Sequence, residues 1–276
     1  QDHPCLDCHE TDLAQFEATV HGMTECLDCH VGADERRHRR GLDPVNCGAC
    51  HTDVLEVQAV SVHGPEGERR TSAMDLPSCS SCHGEIHVMA PVTDPLSPMN
   101  EKRQGETCGT CHGSGQPAPM GVRTIKPIEA YTASVHAAEV AEGRHGASCS
   151  DCHTAHSPLL VSNPASSIHR QNVPETCGVC HTEITAQFEQ SIHGLAAKSG
   201  VLDSPVCTDC HGVHNIRKVK DILSPVYPLN LPETCSRCHS DAGRMSKYGI
   251  PTDQFEKYEK SVHWNALSRQ SDFSAA

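Results

Sequence analysis

Nine times along 276 residues, two cysteines stand three positions apart with a histidine directly after the second. The copies are Cys5, Cys8 and His9; Cys26, Cys29 and His30; Cys47, Cys50 and His51; and Cys79, Cys82 and His83. They continue as Cys108, Cys111 and His112; Cys149, Cys152 and His153; Cys177, Cys180 and His181; Cys207, Cys210 and His211; and Cys235, Cys238 and His239. Together they use all 18 cysteines. The two thiols of each copy can bond to one edge of a flat group while the imidazole after them ligates a metal at its centre.

Cys-x-x-Cys-His is the attachment signature of c-type haem. The two thiols form thioethers with the haem vinyl groups, and the histidine becomes the proximal iron ligand. Zinc sites and redox dithiols also use Cys-x-x-Cys, but neither needs a histidine after the second cysteine in all nine copies. A disulfide framework fares no better, because cysteines this close in sequence make poor long-range staples. The cofactors expected are nine c-type haems.

Twelve of the 21 histidines remain for the second axial position of each iron. Nine of them recur with the motifs, which alternate between two types. The first type is followed by [Ser/Thr]-[Val/Ile]-His, giving His21, His63, His136, His193 and His263. The interval is 12 residues after His9, His51 and His181, and 24 after His112 and His239. The second type carries its extra histidine close behind, at His87, His156 and His214, with His38 a looser counterpart. Nine motifs and nine such histidines lead to an expectation of two histidines on every iron. His3, His145 and His169 are surplus and expected to be structural, with His3 or His169 a substitute for His38, or one of them serving a neighbouring chain.

Spacing decides which histidines cannot share an iron. Ile184, Phe188 and Ile192 recur every fourth residue, which predicts one helix running from His181 to His193 with Gly194 as its stop. Such a helix spans about 18 Å, too far for its two end histidines to face each other across one metal. His153 and His156 are instead too close to embrace one ring. Each segment therefore lends a histidine to a neighbour. The six methionines follow no repeat and are expected to pack against rings.

The polypeptide that must position these groups is poorly equipped to build a core alone. It is 37% hydrophobic and 3% aromatic, with 18 prolines and 20 glycines, a composition that suits loops more than an ordinary domain. The fold class expected is mainly α with much irregular coil: short helices around a continuous chain of haems, with little β. Residues 1–276 are read as one domain of alternating repeats, with a candidate hinge at 113–127. The net charge of −13 disfavours nucleic acid and anionic membrane surfaces as partners. The one basic cluster, Glu35 to Arg40, is read as solvated or propionate-paired arginines, with a docking patch as the sharper alternative. No stretch has the length of a transmembrane helix, and residence is expected to be periplasmic or extracellular. Thirteen residues follow His263, about the gap that precedes a new motif elsewhere, so the chain is expected to be truncated before a tenth motif.

Four features together resemble the multihaem c-type cytochromes of anaerobic respiratory electron transfer, over almost the whole chain. They are the nine motifs, the Cys-His-x-x-His forms at His153 and His211, the Glu-Thr-Cys copies beginning at Glu106, Glu175 and Glu233, and the Ser-x-His segments. The resemblance implies electron transfer along haems in alternating stacked and T-shaped pairs, by a periplasmic carrier, a surface cytochrome or a filament subunit. Two imidazoles would leave iron no open position and set a lower potential than methionine does. An electron-transfer protein without catalytic residues is therefore expected rather than an enzyme. Its partners would be redox proteins, extracellular electron acceptors or a second copy in a head-to-tail polymer. The alternatives are a haem domain of a membrane quinol oxidoreductase complex and a multihaem reductase.

Overall fold

A computed structural model describes residues 4–33, 41–68, 76–113, 126–270 and 273. The candidate hinge at 113–127 falls almost wholly outside the described residues, as do the basic cluster, His3 and His38. Among the described residues there are short helices, turns and coil, and no β-strand. No helix among them is long and apolar enough to cross a membrane.

The Cys-x-x-Cys-His pentads set the local structure. In the second type each pentad is one helical turn: Cys26–Cys29, Cys79–His83, Cys149–His153 and Cys207–His211. The third residue of each turn caps its start. Asp28, Asp151 and Asp209 accept the backbone N–H of Glu25, Ser148 and Val206 at 2.7–2.9 Å, and Ser81 does the same for Ser78 at 3.1 Å. That reciprocal bond satisfies a donor which the first turn leaves orphaned. The chain then leaves by a left-handed residue, Gly84 at φ 83°, Gly212 at φ 85° and Thr154 at φ 64°. The turn back that follows carries the second histidine.

First-type pentads are entered differently. In the last three copies the Glu-Thr-Cys run lies in the helices Gln104–His112, Val173–Gly178 and Leu231–His239. The threonine hydroxyls of Thr107, Thr176 and Thr234 donate to the carbonyls of Pro98, Ser167 and Pro225, nine residues upstream, at 2.6–2.7 Å. These bonds fasten the coil that leads into each pentad. Ser97, Ser166 and Ser224 of the same coils are buried.

The helix expected from His181 to His193 is two helices, Thr182–Gln190 and Ile192–Lys198. Ser191 adopts an extended backbone, and its hydroxyl accepts the Gly194 N–H at 3.1 Å, which starts the second helix. A serine hydroxyl favours this capping role over a helix interior. Gly194 is consequently buried inside a helix, not at its stop. A Cβ there would meet the Phe188 carbonyl at 2.0 Å. Ser134 and Ser261 begin the helices Val135–Ala141 and Val262–Gln270 in the same way.

The chain divides into two compact units. The first comprises Gln1–Ile128 with Ala147–Leu160, and the second Glu129–Gly146 with Val161–Ala276. Within the first, the Val20 N–H donates to the Met89 carbonyl at 3.1 Å and the Val62 N–H to the Pro158 carbonyl at 2.9 Å. Within the second, the Val135 N–H donates to the Ile216 carbonyl at 2.8 Å. The second unit also joins Arg170 to Asp209 at 2.9 Å.

Candidate functional site

Among the described residues, six pairs of imidazole rings stand opposite one another, and each joins a motif histidine to one of the repeat-associated histidines. In the first unit the pairs are His21 with His51, His30 with His87, His63 with His112, and His83 with His156. In the second they are His136 with His181 and His193 with His239. No pair lies within one segment, as spacing required.

The geometry of the pairs is uniform in one respect and free in another. Ring centroids are 5.9–6.2 Å apart throughout, while the angle between ring planes runs from 15° to 72°. Rings in direct contact draw closer when parallel, yet His83 and His156 are near-parallel at 15° and still 5.9 Å apart. Two imidazoles bound to opposite sides of one metal give the observed pattern. A metal–nitrogen bond of about 2.0 Å, plus roughly 1.2 Å from nitrogen to ring centre, would place such centroids about 6.4 Å apart at any rotation. Each pair supplies two ligands only. Among the described residues no group of three or more His, Cys, Asp or Glu side chains converges to hold a metal.

Burial favours the neutral ring at five of the histidines. Burial, and next the facing ring, lowers the pKa of His63 beside His112, of His83 beside His156 and of His193 beside His239. His211 is lowered by burial and by His181, and His214 by burial. Neutral imidazole is the state that binds a metal. The buried Nδ1 of His21 has no hydrogen-bond partner among the described residues, an arrangement that calls for one from outside the polypeptide.

The pairs follow a rule of two motif steps. First-type segments reach forward: the first motif's His21 serves the third, His63 the fifth, His136 the seventh and His193 the ninth. Second-type segments reach back: His87 of the fourth serves the second and His156 of the sixth serves the fourth. Thiols of successive motifs meet as well. Cys5 contacts Cys26, Cys47 contacts Cys79, Cys108 contacts Cys149, and Cys177 contacts Cys207. Cys82 lies near Cys108 and Cys111, and Cys210 near Cys235 and Cys238. Within each unit the motifs therefore adjoin in chain order.

His38 lies outside the described residues. His9, His153 and His214 make contacts beyond the six pairs. His263 stands exposed on the helix Val262–Gln270. Of the surplus, His145 is exposed and the Nδ1 of His169 accepts the Gln171 N–H at 3.4 Å, a structural use.

The surroundings fit a haem. None of the 18 cysteines is in a disulfide. Only five apolar side chains are buried among the described residues, Val140, Val173, Val206, Met245 and Leu267, against ten polar ones. That is far too few to hold a chain of this length. Apolar side chains beside the motifs point outward instead, with Val179 78% and Ile192 76% exposed. A large apolar body lying along the motifs would cover them. At the ninth motif, Leu231, Pro232, Phe255 and Tyr258 wall a cavity beside Cys235 and His239. Sequence reasoning missed the capping aspartates, the fastening threonines and the buried serines. The repeated Cys-x-Asp-Cys and Glu-Thr-Cys spellings carried that signal. Compared with family models, curated proteins and solved structures, the chain gives no match.

Proposed function

We propose that the chain is a multihaem c-type cytochrome that carries nine covalently bound haems and transfers electrons along them. The observation that carries this reading is the set of six cross-repeat imidazole pairs with fixed spacing and free rotation. When bound, each haem would supply an iron that changes oxidation state by one electron. The cysteines of each pentad would hold it by two thioethers and the histidine after them would ligate its iron, and in the six pairs a histidine from two motifs away would be the second ligand.

The chain's own part is to fix positions. Capped one-turn helices hold the thiols and the proximal imidazole on one face. The Ser-capped helices and the left-handed turns present the distal rings. Meeting thiols keep successive motifs adjacent, so electrons would pass between near neighbours. Ligands pinned from two separate segments rearrange little when charge arrives, which suits a relay. On this reading the chain works in the periplasm or outside the cell, and exchanges electrons with redox proteins, extracellular acceptors or copies of itself.

Expression in a host able to mature c-type cytochromes tests it. A mass increase of nine haems per chain, with reversible reduction followed in the visible spectrum, is expected. A purified chain holding zinc or disulfides in place of haem would overturn it.

A further inference from the structure

Charge is unevenly shared among the nine pentads. The two residues between the cysteines include an aspartate in the first, second, sixth and eighth copies, at Asp7, Asp28, Asp151 and Asp209. The third, fourth, fifth and seventh copies have no charged residue there. The ninth alone holds a cation, Arg237.

The structure brings a second guanidinium to the same motif. Arg244, on the one-turn helix Ala242–Met245, directs its Nη1 to the Cys238 Sγ at 2.9 Å. On the haem reading that sulfur stands for a thioether, so the guanidinium sits at the edge of the ring. The Arg244 backbone N–H donates to the Asp241 Oδ1 at 3.2 Å, which caps the helix and fixes the residue. Arg237 is pinned as well, its Nη2 donating to the hydroxyl of buried Thr234 at 2.8 Å. At the Cys235 and Cys210 thiols, which burial pushes up, the Arg237 charge works the other way. The Asp203 carboxylate lies 3.9 Å from the Arg244 Nε but is shared. It also binds Lys247 and accepts the Tyr248 hydroxyl at 2.8 Å, so it offsets Arg244 only in part. At the eighth motif the balance differs, because Asp209 caps the Val206 N–H and pairs with Arg170. Apolar walls at the ninth, Leu231, Pro232, Phe255 and Tyr258, let a charge act through a lower dielectric than water.

We propose that Arg237 and Arg244 raise the reduction potential at the ninth motif, so that electrons passed along the second unit collect there. The inference deepens the haem reading and rests on it. One electron enters one iron, whose charge falls by one; no bond forms or breaks and no proton moves. A fixed cation beside the ring therefore favours the reduced state. At an effective dielectric of about 20, a unit charge roughly 10 Å away changes a one-electron equilibrium about tenfold. The Arg244 side chain is 39% exposed, and solvent there trims its share to several-fold.

The test is stepwise reduction of the haem-loaded full chain by a chemical reductant, followed by paramagnetic nuclear magnetic resonance of the haem methyl groups. The ninth haem is identified by magnetisation transfer to the rings of Phe255 and Tyr258. In the parent its iron should be among the first reduced. Arg244→Gln should lower the reduced-to-oxidised ratio of this iron several-fold at a fixed potential, and Arg237→Gln should act in the same direction. Arg244→Lys, which restores the charge, should keep most of the ratio. Asp203→Asn provides a second measurement, because removing the anion should raise the ratio, a sign that loosened packing does not give. A ninth iron reduced among the last would overturn the proposal. So would an unchanged ratio in both glutamine variants, an equal loss in R244K, or a fall in D203N. Protein without haem would instead refute the function on which the proposal rests.

Discussion

Substituting Gly194 by alanine tests the placement of a distal ring by its own backbone. Gly194 follows His193, and a Cβ there would lie 2.0 Å from the Phe188 carbonyl oxygen and 2.8 Å from the α-carbon of Glu189. Real Cβ atoms stay beyond 3.0 Å, so the helices Thr182–Gln190 and Ile192–Lys198 must part by about 1 Å. The wall is backbone, which cannot rotate away. Overpacking of this kind costs about 1–3 kcal/mol, and a rigid neighbour puts Gly194→Ala at the upper end. For a unit of this size the melting temperature should fall by roughly 6–10 °C. The shift also acts on the pair of His193 and His239, now 6.1 Å apart. One ångström is about half a metal–nitrogen bond, so on the haem reading an iron held by His239 should turn partly high-spin. Thermal unfolding followed by haem absorbance, with spin-state counting, reads both effects. Ala137 is the internal control, because it follows His136 within the helix Val135–Ala141 and already carries a Cβ. Ala137→Gly should cost only about 0.5–1 kcal/mol through helix propensity. A Gly194→Ala protein that melts with the parent and keeps its low-spin count would refute the reasoning.

Thr154 takes a φ of 64° where Gly84 and Gly212 stand in the matching turns. Its ψ of 155° puts it in a region that is nearly glycine-only, at a cost of about 1–3 kcal/mol. Thr154→Gly should raise the denaturant midpoint, net of glycine's entropy, by the equivalent of about 1 kcal/mol; an unchanged or lower midpoint counts against it. Glu139 is held at about 2, below its ordinary 4.5, first by the Arg144 guanidinium and next by Lys218. A depressed carboxylate stabilises the fold above its unfolded pKa, and the contribution is lost as pH falls through the folded value. The melting difference between parent and Glu139→Gln should therefore be present at pH 7 and shrink between pH 4.5 and 2; a difference constant across that window rules the pairing out.

The motif residues stand out in the sequence because the proposed attachment pattern is written within five consecutive positions. The alternation of types was legible for the same reason: the second histidine falls at a fixed short distance from its motif. The mainly α, coil-rich fold followed from a composition that cannot fill a core. What sequence could not supply was the partner of each ring, since that depends on the path between segments. The helix break at Ser191 was misread for a physical reason. Four-residue spacing of Ile184, Phe188 and Ile192 marks a helix when those residues face a protein core, but Ile184 and Ile192 are 62% and 76% exposed. Ser191 held the better clue, as a capping residue just ahead of the histidine. The fastening bonds of Thr107, Thr176 and Thr234 reach nine residues back, beyond any local pattern.

On the haem reading, the two directions of reach, forward from first-type segments and back from second-type ones, would impose an order of maturation. As the chain lengthens from its N-terminus, His21 already exists when His51 is made, and His63 when His112 is made. First-type motifs thus find their second ring waiting. His30 must wait for His87, and His83 for His156, so alternate motifs remain half-finished until a later stretch of chain arrives. On the haem reading, a growing chain would always trail a few irons that are open on one side. It would be most exposed to stray ligands and misplaced histidines during that interval, and quietest once the trailing repeats have closed over it.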